Sequence, residues 1–361
     1  MKSLFYISLD KTVVEKQLGG YSHIKGVIEG LKGHYKLKVG AWRTKLLRKK
    51  TDDIEYVEIS NSKYYLNVFK MLIQDKETDV FLFRKNLIGM YVVSLAFLLK
   101  RLLGSKQTYY FEFNAISGDY QVESKLKSTI LYWSNIIPVI LSSGVYCVTK
   151  SVFDRLAKNT LISNKKLVLC PNGGPPPLFQ DLDNITDDKL CIYYYGSEMP
   201  YYHIDYLVNS IKKIQNKHDK IVELHLVGPK MEHLKEANVY VHGPMGMEDF
   251  QSLMSNIKGI SWGVVPLDKF DAGSSIDPIK TFDYLSLGMP VLHSRECLSL
   301  FDTEGHYSEK YEIDNLVDSL IKIRGMSKSD YLTVYNNLIQ NYYLYQWEAR
   351  LEKLRVLIGV K

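Results

Sequence analysis

Cysteine is scarce in this chain of 361 residues. The four that occur, Cys147, Cys170, Cys191 and Cys297, lie far apart with no C-x-x-C pair. That spacing indicates neither a disulfide framework nor a zinc site, and buried thiols in a reducing compartment are the expectation. Long apolar runs are also missing: the longest region, Leu87 to Leu99, is broken by Gly89 and Ser94 and falls short of a bilayer span. The opening MKSLFYISLD reaches Asp10 before an apolar core develops, so it reads as a first strand and not as a signal peptide. There is no G-x-G-x-x-G dinucleotide fingerprint, no Ser-His-Asp set and no pair of catalytic carboxylates to pick out. Recognition-helix, RNP-like and finger patterns are lacking too, which argues against nucleic acid as a partner.

Hydrophobic residues at 46% and charged residues at 24% are those of a soluble globular protein, with tyrosine unusually frequent at 27. The length suffices for two α/β domains with separate cores. Charge is divided unevenly: residues 1–170 carry 27 Lys+Arg against 14 Asp+Glu, net +13, and residues 171–361 carry 19 against 26, net −7. Much of the positive charge falls between Lys32 and Lys50, interleaved with Trp42, Leu46 and Leu47. This composition suits an anionic bilayer surface, and it equally suits a solvated face.

Short apolar strands alternate with helical patterns along both halves, the signature of parallel, doubly wound sheets. Strands are expected at Leu4–Leu9, Tyr35–Ala41, Glu55–Ile59, Val80–Phe83, Thr108–Phe113 and Gly144–Thr149. Helices are expected at Ile24–Leu31, at Tyr64–Ile73 with Leu66, Phe69, Leu72 and Ile73 inward, and at Leu87–Leu103. VTKSVFDRLAK reads as another helix, capped by Thr149 or Ser151. A Pro-rich crossing, LVLCPNGGPPPLF, precedes a second series that begins at Leu190–Tyr195. The D-x-D of Asp181 and Asp183 falls in that polar linker and reads as solvated loop. The expected domains are 1–170, joined by a terminal helix over about 340–361, and 171–339.

The segment Gly263 to His293 organises the second half as strand, loop, helix and strand. In a parallel sheet the loop after a strand and the first turn of the next helix form the ligand crevice, and amides there favour a phosphate. Lys280 and Asp283, three apart, project from one helix face: a cation for an anionic group and an acceptor for sugar hydroxyls. An ordinary amphipathic helix with a surface ion pair would show the same two residues.

The run PIKTFDYLSLGMPV resembles the donor-site signature P-x-K-x-[FL]-[ED]-Y-L-x-x-G-x-P-V of retaining glycosyltransferases with the GT-B fold, family four and its relatives. GGYSHIKGVIEGLKG resembles their Gly-Gly loop, FLFRKN and YYFEFNA their strand ends, and CPNGG the linker closing their first domain. The resemblance spans nearly the whole chain and implies two Rossmann-like domains facing a cleft, with the last helix packed on the first domain. It implies ribose contact by Asp283, where Glu is usual. Phosphate contact would come from Lys280, from the amides near Gly19, Gly20, Gly273 and Ser274, and further donor contacts from Gly196, His203, Gly228, Ser275 and Thr281. Glu112 and Asn114 become candidates for sugar contacts beside Lys280 at the reacting centre. Ser275 stands where the family has a first Glu. After Gly196 the chain reads SEMPYYHID, with His203 and Ile204 in place of the usual Lys-Gly and without the usual Arg.

In retaining transfer on this fold the departing phosphate takes the acceptor's proton, so neither a catalytic carboxylate pair nor a metal or other cofactor is required. The implied activity is transfer of a sugar from a UDP- or GDP-linked donor to a glycan acceptor on a polyprenyl diphosphate. Capsule, exopolysaccharide or O-antigen assembly is the implied setting, at the inner face of a membrane. A binding or scaffold subunit is the alternative that the missing Arg/Lys clamp raises, and a nucleotide-sugar epimerase on the same fold is a third.

Overall fold

The computed structural model describes residues 1–9, 19–42, 44, 47, 54–60, 62–114, 125–162, 166–179, 182, 185–198, 202–215, 220–267, 278–294, 308–311 and 315–359. The chain divides into two compact units, Met1–Gly173 with Trp347–Lys361, and Gly174–Gln346.

In the first unit seven strands form one parallel sheet: β1 (Ser3–Ser8), β2 (Lys36–Ala41), β3 (Glu55–Glu58), β4 (Val80–Arg84), β5 (Thr108–Phe113), β6 (Gly144–Cys147) and β7 (Leu167–Leu169). Their order is β3-β2-β1-β4-β5-β6-β7, with the direction of winding reversing between β1 and β4. Both faces are apolar because helices cover both. Helices α1 (Gly19–Leu31), α2 (Tyr64–Gln74), α3 (Leu87–Leu102), α4 (Lys125–Leu141) and α5 (Lys150–Ala157) connect the strands. Thr149 caps α5, its side chain accepting from the Val152 amide at 3.3 Å.

Three details differ from the sequence expectation. Helix α1 begins at Gly19, so the Gly19-Gly20 pair forms its first turn and does not precede it. On α2 the buried face is Tyr64, Val68 and Leu72, four apart, whereas Leu66 points to solvent. Helix α4 was not anticipated; apolar residues on several faces and an internal Pro138 blur its period.

The chain's end returns to this unit as two short helices, α11 (Trp347–Arg350) and α12 (Glu352–Leu357), instead of one continuous helix. Gly26 and Gly30 on α1 make that return possible. A Cβ at Gly26 would collide with the Trp347 indole, and one at Gly30 would press on Leu351. Trp347, Leu351 and Leu354 are thereby buried against Ile24, Val27 and Leu31.

The second unit carries six parallel strands, β8 (Lys189–Tyr195), β9 (Ile221–Val227), β10 (Val239–Gly243), β11 (Ile260–Val265), β12 (Val291–Ser294) and β13 (Ser308–Tyr311). They run in the order β10-β9-β8-β11-β12-β13, with the same reversal, here between β8 and β11. Helices α6 (Ile204–Gln215), α7 (Met247–Asn256), α8 (Ile279–Ser286), α9 (Leu316–Arg324) and α10 (Lys328–Asn341) cover it. Helix α8 lies close to the sheet because Gly263 has no side chain. The Tyr284 ring fills that place, and its hydroxyl accepts from the Tyr195 amide at 2.6 Å and donates to the Val264 carbonyl at 3.2 Å.

Candidate functional site

In doubly wound sheets ligands bind at the carboxyl ends of the strands, where the winding reverses. In the second unit that place is the end of β8 and the start of α8. Gly196, at the end of β8, has φ +149, and Gly228, at the end of β9, has φ +111. A Cβ on Gly228 would strike the Gly196 carbonyl, so the two strand ends close on each other through bare backbone. The side chain of Lys280 reaches into this place. Its Nζ donates to the Tyr194 hydroxyl at 3.0 Å and stands 4.2 Å from the Tyr194 ring and 3.3 Å from the Tyr202 ring. A Cβ on Gly196 would come within 2.6 Å of that nitrogen. Two aromatic faces therefore stabilise a buried ammonium.

Asp283 follows on the same helix. It is half-buried, and the packed atoms around its carboxyl push it up from 3.8 to about 7 by desolvation, against the pull of Lys280. Asp283 in turn contributes to raising Tyr195, which burial above all pushes up to about 12. Thr281, next to Lys280, is fully buried, and among the described residues its hydroxyl has no hydrogen-bond partner.

His203 precedes α6 with φ +41, a left-handed conformation that glycine adopts freely and a side chain resists. Gly273, Ser274 and Ser275 lie outside the described residues, as do Asp181 and Asp183.

In the first unit the sequence candidates meet in a different arrangement. Glu112, on β5, is fully buried. Its Oε1 accepts from Arg84 at 2.6 Å, from Asn114 at 3.0 Å and faces His23 Nε2 at 2.8 Å, and its Oε2 accepts from the Tyr6 hydroxyl at 2.7 Å. Burial would raise this carboxyl, but His23 and Arg84 outweigh it and hold it well below the usual carboxylate range. The other nitrogen of His23, Nδ1, lies 2.5 Å from Asn172 Oδ1, and its ring meets Trp347 edge-on at 5.1 Å. Glu112 is thus the saturated centre of a buried network, not a carboxylate open to a sugar. Asn114 is one of its donors. Beside it Lys85, just past β4, is pushed down to about 7 by burial and stands 4.8 Å from the Phe113 ring.

Sequence reasoning singled out Lys280, Asp283 and Glu112 but missed His23, Lys85, Tyr194 and Tyr202. For Tyr194 a signal exists in retrospect: YYYG puts aromatics at the end of a buried strand, where a neighbouring cation gains from their faces.

One further group offers metal-ligand atoms. Cys191, Glu223 and His225 bring a thiol, a carboxylate and an imidazole within 4.8 Å of one another. It lies toward the other end of β8 and β9, where Cys191 pairs with Glu223 and His225 is two residues on. Lys189 holds Glu223 Oε1 at 2.8 Å, and His225 Nδ1 lies 3.0 Å from His242 Nε2. The donor types suit zinc, but here the groups satisfy one another. Cross-strand pairing brings them together, which the wide spacing of the cysteines did not reveal.

No protein-family model matches the chain, and no curated protein matches it. Solved structures do. A glycosyltransferase from Rickettsia africae ESF-5 superposes with a TM-score of 0.67 at 15% identity, covering 100% of both chains. WaaG, a glycosyltransferase involved in lipopolysaccharide biosynthesis, gives 0.65 at 12% identity, over 99% of this chain and 100% of that one. An alpha-glucosyltransferase in complex with UDP-glucose and DNA containing an abasic site gives 0.61 at 8% identity, over 99% and 100%. Likeness at such identities defines the fold: two Rossmann-like domains of the GT-B type.

Proposed function

We propose that the protein is a glycosyltransferase that takes a sugar from a nucleotide diphosphate sugar and passes it, with retention, to a lipid-linked glycan acceptor. The observation that carries this reading is the arrangement at the end of β8, where the ammonium of Lys280 lies against the glycine backbone of Gly196 and the carboxyl of Asp283 follows one turn on along the same helix. Lys280 stabilises charge growing on the diphosphate as the glycosidic bond breaks, assisted by amides at the start of α8 and by Thr281. Asp283 accepts hydrogen bonds from the ribose. His203 lies beside the diphosphate. Glu112 does not touch substrate; with Asn114 it fixes Arg84 and His23 at the strand ends of the first unit. The saccharide product leaves the nucleoside diphosphate behind, and neither metal nor other cofactor enters the proposal.

Calorimetric titration with UDP, GDP and their sugar conjugates tests this reading. Binding of one of them that disappears in Asp283→Ala supports it. A protein that binds none is a scaffold, the second reading. It is favoured by the absence of the usual Arg from the clamp and by the engagement of Lys280 with Tyr194 and Tyr202.

A further inference from the structure

No described helix is long and apolar enough to cross a membrane, yet two adjacent helices of the first unit are apolar on their outer as well as their inner sides. On α3 the sheet side buries Met90, Val93, Ala96 and Phe97. Its outer side exposes Ile88, Tyr91, Leu95, Leu98 and Leu102, spaced by three and four. Helix α4 repeats the arrangement with Leu126, Ile130, Trp133, Ile137 and Leu141 exposed and Ile136 and Val139 buried. The ends are the most open, with Leu102 at 76% and Leu126 at 71% exposure. The Arg101 guanidinium donates to the Leu141 carbonyl at 3.1 Å, so the two stripes end together. A helix apolar all round belongs in a core or in lipid, and apolar faces of this extent are seldom left in water.

Charge decides between occupants. Neither helix contains an Asp or Glu. Exposed Arg101 and Lys106 border one end of the stripes and Lys127 the other. A second copy docking face to face would bring these cations against their own counterparts. An anionic bilayer matches them, accepting the leucines and isoleucines into its acyl boundary and Trp133 and Tyr91 at the headgroup level.

We propose that the paired outer faces of α3 and α4 insert into the interfacial layer of an anionic membrane. This surface is distinct from the Lys32–Lys50 segment that the sequence alone suggests. The proposal deepens the lipid-linked-acceptor reading above and rests on it, since such an acceptor is held at a bilayer surface.

Sedimentation with vesicles of phosphatidylcholine, with and without roughly one-third phosphatidylglycerol, provides the test. The full chain should pellet with the anionic vesicles and far less with the neutral ones. Leu95→Glu/Ile137→Glu, at solvent-facing positions whose folding is checked by melting, should lower that binding about tenfold or more. Brominated acyl chains should quench tryptophan emission in the wild type and not in Trp133→Phe. Equal binding by the double variant, or no binding by the wild type, would overturn the proposal. So would a dimer that the double variant dissolves without any vesicle binding, which would assign the face to a second copy. Nucleotide titration without lipid is read separately: loss of vesicle binding with nucleotide affinity intact condemns the docking face alone, and the reverse condemns the donor site alone.

Discussion

The two units place a carboxylate at the same part of the same architecture and treat it in opposite ways. Glu112 lies fully buried near the strand ends of the first sheet, and every approach to it is taken by a donor: Arg84, His23, Asn114 and Tyr6. Its ionised form is held by the fold. Asp283, beside the strand ends of the second sheet, has burial without equivalent compensation, and its carboxyl rises to about 7. A buried charge that is fully paired specifies structure, whereas one left short of partners is a cost that a ligand's hydrogen bonds can offset. The difference teaches where to look for binding: the unfinished network, not the more heavily bonded one.

Breaking the closed network should produce the largest effect on stability. Glu112→Ala leaves Arg84 and His23 buried without their anion and should destabilise the first unit by about 3–5 kcal/mol, read as a lower denaturation midpoint. The same carboxylate gives the pH profile a sign. Its folded pKa lies below its unfolded value, so its contribution is present above the ordinary 4.5 and is lost as pH falls. Acid should therefore destabilise the wild type more steeply than Glu112→Gln below about pH 4.5, measured as midpoints from neutral pH down to about pH 2.

A smaller effect is expected where the ends of β8 and β9 meet through bare backbone. Gly228→Ala forces a methyl against the Gly196 carbonyl at φ +111 and should cost about 1–3 kcal/mol. Nucleotide affinity should fall with it, because the ends of β8 and β9 must part. Smallest is Asn172→Ala, which removes a single partner from His23 at the rim of the closed network. About 1 kcal/mol is expected, with nucleotide affinity unchanged. If Asn172→Ala matched Glu112→Ala in cost, the network would not be centred on the carboxylate.

The contrast between the two sites explains what could be read from sequence. Lys280 and Asp283 are separated by three residues in a helix whose turn fixes their relation, so their shared face was legible, as was the Thr149 cap. Apart from Asn114, two positions on, the partners of Glu112 come from residues 28 to 106 positions away, and only the strand order β1-β4-β5 brings Tyr6 and Arg84 to it. No local pattern carries that information. Helix α4 escaped for a related reason. With Ile136 and Val139 buried and Ile130, Trp133 and Ile137 exposed, its apolar residues outline no single inner face. Leu66 was placed inward because α2 also contains apolar residues off the face that Tyr64, Val68 and Leu72 define.

The central claim is that Asp283 is kept at a cost for the sake of a nucleotide, and Asp283→Asn tests it in one experiment. The raised folded pKa means that wild-type stability falls as pH rises from near the ordinary 3.8 through about 7. An Asn does not titrate, so its advantage is absent in acid and fully developed above neutrality. Melting at pH 8 with and without UDP or GDP should show Asp283→Asn more stable than the wild type by a few degrees, roughly 3 °C, and without the wild type's nucleotide-induced shift. A variant that melts lower than the wild type at pH 8, or that retains the full nucleotide shift, would contradict the account.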